Sequence, residues 1–123
     1  MLQTKDKNFN VEYYEKSDGS FPAEEFILAQ DLKMQAKLFK MLELLEEKGN
    51  ELREPYSKFL DDGIFEIRAI QNSNITRVLY FFAVGKKIIL THGFVKKTPK
   101  TPPSEIRTAK NYRDEYLKQE EGG

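Results

Sequence analysis

The stretch GIFEIRAIQNSNITRVLYFFAVGKKIILTHGF, residues 63–94, decides how this chain folds. From Ile64 to Ile70 polar and apolar residues alternate, which puts Phe65, Ile67 and Ala69 on one face of a strand and Glu66 and Arg68 on the other. Asn72-Ser73-Asn74 is turn chemistry. Ile75 to Val84 is apolar except for Thr76 and Arg77, the pattern of a central strand covered on both sides. Gly85-Lys86 turns the chain tightly into a third strand, Lys87 to Phe94. Three strands joined by short turns predict an antiparallel meander.

Working outward, Asn10 to Glu15 reads as a short first strand ended by Ser17-Asp18-Gly19. Ser20 is placed to cap a helix that runs to about Gln30, with Pro22 in its first turn and Glu24 and Glu25 favoured by the helix dipole. Asp31 is placed to cap a second helix, whose stripe Met34, Leu38, Met41, Leu42, Leu45 has helical spacing and which Gly49 stops. Pro102-Pro103-Ser104 then opens a last helix, Glu105 to about Lys118. The order β-α-α-β-β-β-α predicts an α+β domain: a small antiparallel sheet with the helices packed on one face. At 123 residues a single domain is expected, with residues 1–8 and 119–123 frayed.

Composition narrows the chemistry. There is no cysteine and one histidine, so disulfides are excluded and neither a metal nor another cofactor is expected. No charged leader or apolar run of about 20 residues is present, and a cytoplasmic protein without membrane association is expected. The formal net charge of zero conceals a division. Residues 1–62 hold nine Lys/Arg against 14 Asp/Glu, a balance of −5, whereas residues 63–118 hold 11 against four, a balance of +7. Such asymmetry concentrates positive potential on part of one small domain and points to anionic partners. The nucleotide, hydrolase and zinc-site motifs GxxxxGK[ST], GxSxG, CxxC and HExxH are all missing. The pairs Glu24-Glu25, Glu46-Glu47 and Asp61-Asp62 fall at helix ends or in a turn and read as solvated.

The chemistry-bearing residues gather around the third strand of the meander and its exit. Leu90-Thr91-His92-Gly93-Phe94-Val95-Lys96-Lys97 leads into a basic, proline-checked loop through Lys100 to Pro102. His92 and Phe94 are two apart and share a face. Arg68 and Arg77 lie in apolar strands, where an unpaired charge is costly, so each must reach an open face or be paired, with Glu66 as the nearest acid. If both arginines share the face of His92 and Phe94, the sheet presents two guanidinium groups, an imidazole and a ring, with Lys96 and Lys97 at the rim. That set suits RNA transesterification, which needs a base for the 2′-OH, cations for the phosphorane oxygens and an acid for the leaving 5′-oxygen. Arginine forks match phosphate, a crowded lysine can transfer protons, and a ring can stack a splayed base. For His92 alone a packed strand-end residue is an equal reading, and for Phe94 alone a core residue.

In Gly63–Arg68, Thr76–Phe82 and Leu90–Pro99, and on through Thr101-Pro102-Pro103-Ser104-Glu105-Ile106 and Ala109, the chain resembles the phage-derived HigB-like branch of the RelE/ParE toxins. The resemblance covers roughly residues 10–118. It implies a RelE-like fold and a bacterial type II toxin that cleaves mRNA in the ribosomal A site by 2′-OH attack without metal. The implied partners are the ribosome, mRNA and a helix-turn-helix, HigA-like antitoxin through which alone operator DNA is met. By position, Arg77 matches a phosphate-contacting strand arginine and Arg68 a basic strand position used in proton transfer or charge stabilisation. Lys96 and Lys97 match the basic segment that carries the candidate acid. With His92 these form the expected catalytic set, and Phe94, Lys100 and Tyr112 the expected RNA-binding set. The family often places a stacking tyrosine after the basic segment; this chain has none before Tyr112, so Phe94 or Tyr112 must substitute. A ParE-like inhibitor of DNA gyrase and a non-catalytic RNA- or protein-binding module are the alternatives.

Overall fold

A computed structural model describes residues 8–122, in which the alternation of residues 63–94 becomes three consecutive antiparallel strands. In chain order the elements are β1 (Asn10–Tyr13), α1 (Pro22–Leu28), α2 (Leu32–Lys48), β2 (Ser57–Asp61), β3 (Ile64–Gln71), β4 (Asn74–Ala83), β5 (Lys87–Val95) and α3 (Pro103–Gly122). They form an α+β fold around one five-stranded sheet in the order β1-β5-β4-β3-β2. Residues 1–7 and 123, where fraying is expected from the sequence, lie outside the described residues.

Four expectations are corrected. The sheet is mixed, because β1 joins β5 in parallel, and the α1–α2 pair belongs to the long crossover that a parallel pairing needs. The meander gains an edge strand, β2, through a hairpin whose loop residues Asp62 and Gly63 both have positive φ (48° and 79°), the geometry that Asp-Gly favours. The helices also do not share one face. Thr76 contacts Met34 of α2, and Val78, Tyr80 and Phe82 pack with the α1–α2 core, whereas Leu79, Phe81 and Ala83 pack with Ala109, Tyr112 and Tyr116 of α3 on the other side. Finally, α3 continues past Lys118 to Gly122, and Gln119 Nε2 donates to Glu15 O at 3.2 Å.

Local chemistry explains the ends. Asp31 caps α2 by accepting from Met34 N at 2.8 Å, and Gly49 closes it at φ 53°. Ser20 does not cap α1; its hydroxyl donates to Asp18 Oδ1 at 2.6 Å, and the Phe21 N–H donates to the Glu25 carboxylate instead. The acids Asp61 and Asp62 pin α3 to the hairpin, through Lys110 at 2.6 Å and Arg113 at 2.7 Å. Tyr14 adds a ring stack on Tyr112 (4.8 Å between centroids) and a hydrogen bond to Glu115.

One irregularity positions the site. Leu79 pairs with His92 but Tyr80 pairs with Leu90, so Thr91 is an extra residue, a β-bulge in β5. Strict alternation from Leu90, which packs under α1–α2, would put His92 on that same face. The bulge turns His92 and Phe94 to the α3 side and leaves Gly93 under α1. There a Cβ would stand 2.3 Å from the Phe26 ring, so only glycine lets that helix approach.

Candidate functional site

The α3 side of the sheet divides in two. Beneath the helix it is apolar: Ile64, Leu79, Phe81 and Ile89 around Tyr14 and Ala109. Towards the end of β5 it becomes charged. Lys58, Glu66, Leu79 and His92 form one row across β2, β3, β4 and β5, and Arg68, Arg77 and Phe94 form the next. Lys96 continues the pattern, its N–H donating to Ile75 O at 2.8 Å. Arg68, Arg77, His92, Phe94 and Lys96 are therefore brought to one face, as the sequence pattern required of a site.

At its centre lies a carboxylate. Glu66 is fully buried; its Oε1 accepts from Arg77 Nη1 at 2.9 Å, its Oε2 accepts from Arg68 Nε at 2.9 Å, and Oε2 also lies 2.8 Å from Arg77 Nη1 as an ion pair. Thr101 closes the cluster from above: its hydroxyl accepts from Arg77 Nη1 at 2.6 Å and donates to Glu66. Arg77 is consequently only 2% exposed. Its Nη2 reaches no closer than 3.4 Å to Pro99 O, and its Nε has no hydrogen-bond partner. A charge so buried is tolerable because it is paired. The loop residues Pro99–Thr101 lie as a strap over the guanidinium.

Around the ion pair the balance is positive. Arg68 and Arg77 pair with Glu66, Lys58 stands opposite Glu66 on β2, and Lys96 feels the charges of all four. Lys96 has its pKa pushed below the usual lysine range, first by desolvation and then by Arg77 and Arg68, with Glu66 opposing and Lys58 adding. A lysine in such company loses its proton more readily and is suited to proton transfer. Lys97 and Lys100 are exposed on the strap and, with Phe94, Lys96, Pro102 and Glu105, line a cleft of about 460 Å³.

The remaining predicted residues are built into the scaffold. His92 is 9% exposed, with Nε2 at 2.9 Å from Glu105 Oε1 and Nδ1 at 3.1 Å from Thr91 Oγ1. Burial lowers its pKa, and Glu105 only partly opposes this, so the imidazole is held neutral. A neutral ring that donates from Nε2 to Glu105 ties the first turn of α3 to β5, while Nδ1 stands beside the Thr91 hydroxyl, which itself donates to Leu79 O at 3.2 Å. Phe94 packs against the α3 core and tilts over His92 at 6.3 Å. Tyr112 is stacked on Tyr14 and stands edge-on to His92 at 5.9 Å. Both rings are half-buried, and Phe94 also lines the cleft beside Lys96 and Lys97.

Three contributors were not among the expected site residues. Glu66 entered the sequence reading only as a possible partner of the arginines, although its alternation with Arg68 already put it on their face. Thr101 and Glu105 carry no sequence signal of their own, since both act through loop and helix placement. Among the described residues, no group of three or more His, Asp or Glu stands ready to hold a metal ion. None of the described helices is long and apolar enough to cross a membrane. A family model described as phage derived protein Gp49-like (DUF891) matches residues 25–114, a span running from α1 into α3 and including every residue of the charged cluster. No curated protein matches the chain.

Proposed function

Because the chain belongs to the phage-derived Gp49-like family, which is related to the RelE/ParE-like toxins, we propose that it is the toxin of a type II toxin–antitoxin pair, of the HigB-like branch, and cleaves mRNA on the ribosome. The observation that carries this reading is the gathering of Arg68, Arg77 and Lys96 on one face, with both arginines paired to the buried Glu66, beside a cleft lined by Lys97 and Lys100. An excess of cations at fixed positions stabilises charge as it develops on a phosphorane. The 2′-oxygen forms a bond to phosphorus, the bond to the 5′-oxygen breaks, and the products are a 2′,3′-cyclic phosphate and a 5′-hydroxyl. In this scheme the 2′-hydroxyl gives its proton to the neutral Lys96 amine, which returns it to the leaving 5′-oxygen, while Arg68 and the uncovered Arg77 hold the phosphoryl oxygens and Lys97 and Lys100 guide the strand. His92 is a positioning residue that fixes α3 through Glu105. The partners on this reading are a helix-turn-helix antitoxin, the ribosome and mRNA, in the bacterial cytoplasm.

Lys96→Ala is the cleanest test, because Lys96 makes no buried ion pair whereas Arg77→Ala would strand Glu66. Loss of a positioned donor of this sort lowers cleavage by about 100-fold or more. Induced cells should then grow, with the variant's thermal midpoint unchanged; full growth arrest by a folded Lys96→Ala protein overturns the assignment. One observation favours a second reading, a binding module without chemistry. Arg77 is neutralised and covered by Glu66 and Thr101.

A further inference from the structure

An aromatic ring more exposed than the half-buried Phe94 and Tyr112 stands just ahead of β2. Tyr56, immediately before β2, is 49% exposed, and its carbonyl accepts the Arg68 N–H at 3.0 Å. Tyr56, Met41, Ile70 and the cations Lys37, Lys40 and Arg68 line a groove of about 370 Å³ between α2 and the sheet. Among the described residues no acid lines that groove, although the neighbouring cavity that shares Lys40, Met41 and Tyr56 is lined by Glu43, Glu47, Glu51 and Glu54. Lys37 Nζ fixes one wall by donating to Ile70 O at 2.7 Å. Arg68 is among the residues lining this groove and also pairs with Glu66 in the charged cluster. The nearest acid on the groove side, Glu54, is exposed and stays 3.8 Å from Arg68 Nη2, a loose contact that a phosphate can displace.

From this juxtaposition we propose that Tyr56 is the stacking platform for an unpaired nucleobase next to the phosphate held at Arg68, with Lys37 and Lys40 holding the backbone beyond it. The ligand class is single-stranded RNA, and the inference rests on the reading that this chain binds RNA. A cationic groove with an exposed ring is the combination by which single strands are held irrespective of sequence.

Fluorescence anisotropy separates the possibilities, using a labelled RNA oligonucleotide and an abasic ribose-phosphate strand of equal length, at low salt. Wild-type protein should prefer the RNA. Tyr56→Ala should weaken RNA binding by about 5- to 100-fold, so that its preference over the abasic strand collapses, while Tyr56→Phe keeps it. Lys40→Ala should weaken both strands alike, as a phosphate contact does. Circular dichroism of the Tyr56 variants checks that the fold is retained. If wild type binds RNA and Tyr56→Ala binds it equally well, the subsite is refuted and the RNA reading stands. If wild type binds neither strand, the RNA reading itself fails and the subsite with it. If an acidic amphipathic peptide occupies the groove while RNA binding is undisturbed, the groove is a protein-docking site and the inference is overturned.

Discussion

Replacing Glu66 with alanine removes the acceptor shared by Arg77, Arg68 and Thr101. Arg68 reaches solvent and can rehydrate, but Arg77 is 2% exposed and would remain as a buried charge without a counter-ion. Breaking a buried pair from one side costs about 3–5 kcal/mol. At about 4–6 °C per kcal/mol for a chain of this size, the thermal midpoint should fall by about 12–30 °C. Urea unfolding followed by circular dichroism measures this directly, and an unchanged m-value would place the loss in the folded state. Glu66→Gln keeps the shape and one acceptor, so its cost should be smaller. The double variant Glu66→Met, Arg77→Met should recover most of the loss, since an apolar replacement of similar volume removes the stranded charge as well. A cost below about 1 kcal/mol for Glu66→Ala would refute the reasoning. It would mean that Arg77 is already hydrated in solution and that the Pro99–Thr101 strap is open.

Two further outcomes follow from the same geometry. His92 has a lowered pKa in the folded state, so the unfolded chain takes up a proton near pH 6.5 that the folded chain refuses; stability should be fully present above that pH and fall below it. His92→Gln should flatten this acid limb in urea midpoints measured at pH 7.5 and 5.5, and identical limbs would show that another group titrates. Gly93→Ala drives a methyl group to 2.3 Å from the Phe26 ring and should cost about 1–3 kcal/mol by overpacking. Adding Phe26→Ala should make the Gly93→Ala step nearly free, and a full cost in that background would point to backbone strain instead.

Much of the fold was legible in residues 63–94 because the alternation there is regular and the turns are tight. The apolar run Val78–Phe82 already required cover on both faces of β4, and the structure supplies it with α1–α2 on one side and α3 on the other. The expectation of helices on one face failed because α3 buries only Ala109 fully and packs through tyrosines, whose polar ends disguise an apolar stripe. Edge strand β2 was missed because Ser57-Lys58-Phe59-Leu60-Asp61 is short and shows no buried alternation.

The site was legible only as a set of residue types. That Arg68 and Arg77 share a face follows from register, but that His92, Phe94 and Lys96 join them depends on the bulge at Thr91, which no periodicity announces. The pairing of both arginines with Glu66 was open from the sequence. The strap that hides Arg77 was not, because Pro99 and Thr101 act by where the loop lies. On the proposed reading, contact of a phosphate with Arg77 therefore needs the strap to move as well as the constellation to be in place.

The central claim, that Lys96 and the arginines beside it make this chain an RNA-cleaving toxin, is tested most directly by mapping mRNA 5′ ends in a translation reaction supplied with purified protein. The account predicts new 5′-hydroxyl ends in message occupied by ribosomes, none in free message, and none with Lys96→Ala. Intact mRNA in a reaction whose translation has nonetheless stopped would contradict it.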